Sequence, residues 1–125
     1  MTLPDDAQSP QNPQNFSEYY REGWLLHSGG EQEQAETAVR KALALQPESV
    51  DGHYVLGLIL KAQGRGREAV EAFETALALL ERGLVQDATR KAMLRRLTKG
   101  HINRLKTGDW NLEKEIWQRT GEGNL

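Results

Sequence analysis

From Phe16 onward the apolar residues recur three and four positions apart, the spacing that gathers side chains on one face of an α-helix. Two glycine-bearing interruptions, SGGEQ and AQGRG, divide this run into helix, turn, helix, twice over. Residues 1–15, MTLPDDAQSPQNPQN, are different, with three of the four prolines set among polar neighbours. Such a segment buries too little surface to offset its ordering entropy and is expected to be a flexible tail. Asn15 followed by Glu18 reads as a capping pair at the start of the first helix.

The two hairpins are copies of each other. Residues 16–49 set over residues 50–83 without a gap give ten identities. Among them are Tyr20/Tyr54, Gly23/Gly57, Leu26/Leu60, Gly30/Gly64, Ala35/Ala69 and Ala42/Ala76. A fixed period of this size is the signature of a repeat protein whose units lean on one another. Gly23 and Gly57 fall inside helices, where glycine costs up to about 1 kcal/mol relative to alanine. They are expected where a second helix approaches the backbone closely, with Ala35, Ala42, Ala69 and Ala76 as the matching small surface. Tyr19, Leu26, Val39, His53, Leu60 and Phe73 are expected to fill the space on either side, which makes His53 a core residue. Pro47 should end the first hairpin.

These residues resemble the tetratricopeptide repeat family over residues 16–83. The first copy supplies Tyr19, Glu22-Gly23, Leu26, Ala35, Val39, Ala42 and Pro47 at the family's signature positions. The second supplies His53, Leu56-Gly57, Leu60, Ala69, Phe73, Ala76 and Glu81. Glu22 and Glu81 depart from the pattern, implying a partly wet face at the first and a last helix that runs on to Gly83. The resemblance implies an all-α superhelix of two helical hairpins, with repeats at 16–49 and 50–83. It also implies a concave groove, lined by the first helix of each repeat, that takes a partner polypeptide. Carried over by position, that groove shows Tyr20, Trp24 and His27 from the first copy, with Ser17 and Arg21 beside them. The second copy adds Tyr54, Leu58 and Lys61, with Asp51 and Val55, and Ala88, Ala92 and Arg95 follow if the next helix keeps register. The clamp that some members use for C-terminal carboxylates is missing, because Tyr20, Trp24 and Tyr54 stand where it needs Lys and Asn. An apolar peptide with an acidic flank suits the strip better.

Two repeats leave one side of the second hairpin uncovered, so residues 84–106 are expected to form a capping helix. At roughly 100° per residue, Met93, Leu94, Leu97, His101 and Leu105 share its apolar side. Leu84, Val85, Ala88 and Ala92 form a second strip, and Gly100 is a candidate break. Asp87, Arg90 and Lys91 are wrong for a third repeat. Residues 107–125, with Trp110, Leu112, Ile116 and Trp117, read as a short terminal helix. It would complete the core, cover the groove or anchor another chain.

Charge changes this picture in one place. The chain of 125 residues carries a net charge of only −2. Residues 1–81 hold six basic and thirteen acidic side chains, whereas residues 82–106 hold eight basic and one acidic. Arg95, Arg96, Lys99, Arg104 and Lys106 therefore make a candidate basic surface for nucleic acid or acidic lipid headgroups, the alternative to a protein-binding scaffold. A homodimer through the uncovered hairpin is a further possibility.

Composition excludes more than it proposes. With no cysteine there are no disulfides or thiolate metal sites. The apolar runs fall well short of the ~20 residues that span a bilayer. The acidic opening residues lack the apolar stretch of a secretory signal, so cytoplasmic residence is expected. His27, His53 and His101 stand at no metal-ligand spacing. GRGRE lacks the strand and the Lys-Ser/Thr of a phosphate loop. No cofactor and no catalysis are expected, and the function expected is that of an adaptor.

Overall fold

The computed structural model describes residues 13–83 and 85–107, and the expected tails fall largely outside that range, including the whole segment from residue 108 to 125 with its tryptophans. Five α-helices follow one another: α1 Phe16–Ser28, α2 Gln32–Leu45, α3 Val50–Ala62, α4 Gly66–Glu81 and α5 Ala88–Thr107. Helices α1 and α2 form one antiparallel hairpin, α3 and α4 a second, and α5 lies along α4.

Helices α1, α3 and α5 begin where a side chain provides an acceptor for their first N–H groups, whereas α2 and α4 have no side-chain cap. Asn15 Oδ1 takes the Glu18 N–H at 2.9 Å, and the Glu18 carboxylate takes the Gln14 N–H at 2.8 Å. Ser49 Oγ takes the Gly52 N–H at 2.9 Å, and Asp87 takes those of Thr89 and Arg90. The two hairpin turns are geometrically alike. The Glu31 N–H reaches back to the Leu26 carbonyl and the Arg65 N–H to that of Leu60, both closed over a left-handed glycine, Gly30 at φ 86° and Gly64 at φ 78°.

Within each hairpin the mid-helix glycines do what their position requires. A methyl group on Gly57 would stand 2.5–2.7 Å from the ring of Phe73, and one on Gly23 would run into Val39. The helices therefore touch at bare backbone. The main core joins both hairpins through Val39, Leu43, Val55, Ile59, Leu60 and Phe73, all buried, with Ile102 and Leu105 of α5 against it. A second cluster of Val50, Ala76, Leu79, Leu80 and Leu94 seals α4 to α5.

Polar ties hold the turns together. The Glu36 carboxylate accepts from Arg40 and Arg65 at 2.8 Å each and from Gln63 at 3.1 Å, which links α2 to the second turn. Burial alone raises its pKa, but the bonds from Gln63, Arg40 and Arg65 outweigh burial and hold the carboxyl below its usual range.

Five expectations change. His53 is only half-buried, and its Nε2 meets the Pro47 carbonyl at 2.8 Å, so it ties down the inter-repeat loop and is not a core residue. Val55, expected in the groove, is fully buried. Helix α5 runs unbroken through Gly100. Its buried stripe is Leu94, Thr98 and His101, while Met93 is 54% exposed, because the contact with α4 is centred one residue further along the helix than the wheel suggested. Helix α4 also ends at Glu81, with Gly83 in the following turn at φ 80°.

Replacing Gly57 by alanine should destabilise the protein. Overpacking against Phe73 costs about 1–3 kcal/mol, against roughly 1 kcal/mol gained in helix propensity. Urea unfolding should show a net loss, and a smaller one in a Phe73→Leu background, where the ring that collides with the methyl group is gone.

Candidate functional site

Helix α1 carries aromatic side chains at residues 16, 20, 24 and 27, one face by helical spacing. The structure makes them a continuous ladder. Phe16 stacks on Tyr20 with ring centroids 5.4 Å apart, Tyr20 meets Trp24 edge-on at 6.4 Å, and Trp24 meets His27 at 5.8 Å. Tyr20 and Trp24 are half-buried against the main core, as are Tyr54 and Leu58 of α3.

The predicted residues separate into three groups. Tyr20, Trp24, Tyr54 and Leu58 pack against one core. Burial pushes the Tyr20 hydroxyl pKa up, with the Trp24 indole and Arg90 working against it and Asp51 with it. Burial likewise raises that of Tyr54, and Tyr20 adds to the rise. His27 ends the ladder with its ring turned to Gln32, Nδ1 to Oε1 at 2.7 Å, and the Gln32 amide donates in turn to the His27 carbonyl. Lys61 is engaged by α5, its ammonium donating to His101 Nδ1 at 3.3 Å.

His101 is the polar centre of the α5 contact. Its ring stacks on Phe73 at 4.8 Å with the planes nearly parallel, and its Nε2 meets the Tyr54 hydroxyl at 3.2 Å. Because Lys61 donates to Nδ1, the hydrogen of the neutral ring sits on Nε2 and is given to Tyr54. Burial, and then the Lys61 charge, lower its pKa to about 4.

Helix α5 lies beside α3 in a register that the repeat does not give. It starts at Ala88, 38 positions after Val50, whereas Val50 follows Phe16 by 34, and its Arg90 pairs with Asp51 and its His101 with Lys61. Ala88 and Ala92 are accordingly exposed and do not continue the groove. Arg95 turns instead to α4, bonding Glu81 through two nitrogens at 2.7 and 3.0 Å. Of the candidate basic surface, Lys106 likewise reaches Glu74 at 3.1 Å. Arg96, Lys99 and Arg104 make no ion pair among the described residues. Phe16 was left out of the predicted groove, and Arg90 and His101 were named without their partners. Phe16 was signalled by its four-residue spacing from Tyr20. The partnerships of Arg90 and His101 had no signal, since they depend on the altered register.

Among the described residues, two helical hairpins closed around alanine and glycine contacts, with a fifth helix along the second, define an all-α helical-hairpin repeat protein. Residues 19–49 and 50–79 match the tetratricopeptide repeat, so the chain carries two tetratricopeptide repeats. Neither a curated protein nor a solved structure matches it. Among the described residues no helix is long and apolar enough to cross a membrane.

The lowered pKa of His101 has a consequence for stability. The folded chain keeps the ring neutral down to about pH 4, whereas the unfolded chain takes up a proton near the ordinary value of 6.5. The contribution is therefore full above pH 6.5 and falls away as pH drops toward 4. Urea unfolding should show stability falling between pH 7 and pH 4.5, by on the order of 1–2 kcal/mol once solvent screening is allowed for. A His101→Gln variant should lose distinctly less over the same interval.

Proposed function

We infer that the chain is a non-enzymatic scaffold that holds a partner polypeptide along the face built by α1 and α3. Tetratricopeptide repeats generally mediate protein–protein interaction. The observation that carries the reading is the ladder of Phe16, Tyr20, Trp24 and His27, a run of partly covered rings on the helix that opens the first repeat. Aromatic side chains deliver large contact area at small entropic cost and dominate binding surfaces. The cations nearest this face already have partners, Arg90 in Asp51 and Lys61 in His101. The ligand that fits is a peptide recognised by apolar and aromatic side chains, with charge as a secondary term.

The sites follow from this. Tyr20 and Trp24 would contact the partner from α1, and Leu58 from α3. His27 and Lys61 would close one end. Tyr54 has a divided role, since its ring packs on Phe73 at 5.7 Å and its hydroxyl holds His101.

A second reading has its own observation. Arg96 and Arg104 are exposed on α5, without ion-pair partners among the described residues. They would meet an anionic surface, of nucleic acid or of acidic lipid headgroups.

One titration separates the two. A partner recovered from the native cell, purified and titrated against the full chain should bind at least tenfold more weakly to Trp24→Ala, with unchanged circular dichroism. Its affinity should barely move between 50 and 200 mM salt, both figures being conditions of the test chosen from the range in which nucleic-acid binding collapses. Binding that is lost in an Arg96→Glu, Arg104→Glu variant and falls steeply with salt would instead establish the basic face.

A further inference from the structure

The face of α1 and α3 does not stop at α3. At roughly 100° per residue, Arg95 and Lys106, which bond α4, fall on one side of α5, and Arg90 and His101, which bond α3, fall on another. Met93, Leu97 and Arg104 lie beyond the second of these, on the side that prolongs the face of α3 away from α4. Met93 is exposed and Leu97 half-buried. Arg104 is exposed and makes no ion pair among the described residues. An apolar and aromatic surface thus runs from Tyr20 and Trp24 across Leu58 to Leu97 and Met93, with a cation at its edge.

We propose that residues 108–125 of this same chain fold back over that surface and hold it until a partner displaces them. The inference rests on the scaffold reading, in which this face is where a partner binds. Position and reach come first. A methyl group on Gly66, the first residue of α4, would meet Leu105 at 3.8 Å, so α5 ends beside the turn that joins α3 to α4. Lys61, just before that turn, bonds His101 at 3.3 Å. Gln63 within the turn donates to the Gln32 carbonyl, and Gln32 in turn holds His27 at the end of α1. The chain therefore leaves Thr107 at the end of the face that His27 and Lys61 close. The eighteen residues from 108 to 125 span roughly 60 Å when extended, or about 27 Å as a helix. The thirteen residues of α3 span about 20 Å. The segment covers the face in either form.

Chemical complementarity selects this occupant. Trp110, Leu112, Ile116 and Trp117 place four large apolar residues within eight positions. Asp109, Glu113, Glu115 and Glu122 against Lys114 and Arg119 give the segment a net charge of −2. A strip of half-buried rings and aliphatic side chains with Arg104 at its edge is the counterpart of both properties. Tethering supplies the rest. A segment joined at Thr107 meets the face at an effective concentration on the order of millimolar, so contacts too weak to capture a free peptide suffice to fill it. A partner then binds with an affinity lowered by the fraction of chains that are closed.

The chain has no cysteine, so a Gln118→Cys substitution accepts a single nitroxide label. In the full ¹⁵N-labelled chain the nitroxide should broaden the amides of Tyr20, Trp24, Leu58 and Leu97 well beyond those of Thr37 and Glu71, which are exposed on α2 and α4. A nitroxide-bearing chain without ¹⁵N, mixed with a ¹⁵N chain without nitroxide, should broaden nothing, because the contact lies within one chain. A Trp110→Ser, Trp117→Ser chain carrying the same label should lose most of the broadening, while the amides of the buried Val39 and Ile59 keep their positions. Without the label, that serine chain should bind an added peptide of residues 108–125 at least tenfold more tightly than the wild type does, since its own segment no longer competes. The proposal is overturned if the broadening centres on Thr37 or Glu71, or if it persists in the serine chain. It also fails if broadening appears only in the mixture, where a second copy supplies the segment, or if the peptide binds neither chain or both alike. None of these readouts needs a partner. They can fail while the face still captures one through Trp24, and the salt titration decides the scaffold reading separately.

Discussion

The ring of Phe73 is the point on which the second hairpin and its cover both depend. It is fully buried, pressed against the backbone of Gly57 on α3 and stacked on His101 of α5, with Tyr54 tilted against it. One side chain of α4 thereby fixes two neighbours. Its approach to α3 requires a residue with no side chain at Gly57. Its outer side requires a flat partner, and the imidazole supplies one while remaining hydrogen-bonded on both nitrogens. A larger residue at 57 would displace the ring and with it the seat of α5. Gly23 and Val39 repeat the close approach in the first hairpin, but with no His101 beyond them and with an aliphatic residue in place of the ring.

The separation of charge along the chain has a structural outlet. The acidic residues of the hairpins meet the basic residues of α5 in three ion pairs, Asp51 with Arg90, Glu81 with Arg95 and Glu74 with Lys106. Exposed pairs of this kind contribute little each, up to about 1 kcal/mol. Their greater effect is on register. Arg95 with Glu81 and Lys106 with Glu74 fix opposite ends of an antiparallel contact, and Arg90 with Asp51 fixes the edge toward α3. A slide of α5 by one turn would break all three together and pull Leu94 and His101 from their places.

Most of the fold was legible because it is local. The cap at Asn15, the left-handed turns at Gly30 and Gly64, and the bare-backbone contacts at Gly23 and Gly57 each follow from residue type at a fixed repeat position. The errors lie where the structure depends on contacts between distant segments. His53 occupies a packing position by analogy with Tyr19, yet a polar ring beside the Pro47 carbonyl gains more from a hydrogen bond than from burial. Met93 is exposed and Thr98 buried because the centre of the α5 contact is set by α4 and not by the composition of α5. The register of α5 was beyond reach for the same reason. The loop from Arg82 to Asp87 lengthens the spacing beyond the repeat, and no residue within the loop announces it. The candidate groove was correspondingly legible on α1, where four rings share one helical face, and poorly legible at its far end.

That uneven legibility bears on what the face would recognise. A groove whose cations were unengaged would draw acidic ligands and release them with salt. Here Arg90, Lys61 and Arg95 are held by Asp51, His101 and Glu81, so a partner must displace an existing bond to use them. Displacing a partner leaves the other member unpaired, which offsets most of what the new contact contributes. The aromatic ladder carries no such penalty, because water on half-buried rings is lost without compensation being needed. On the proposed scaffold reading, the balance of affinity would therefore fall on Tyr20 and Trp24. Helix α5, despite its charge, would on that reading act on binding mainly by holding Tyr54 in place through His101.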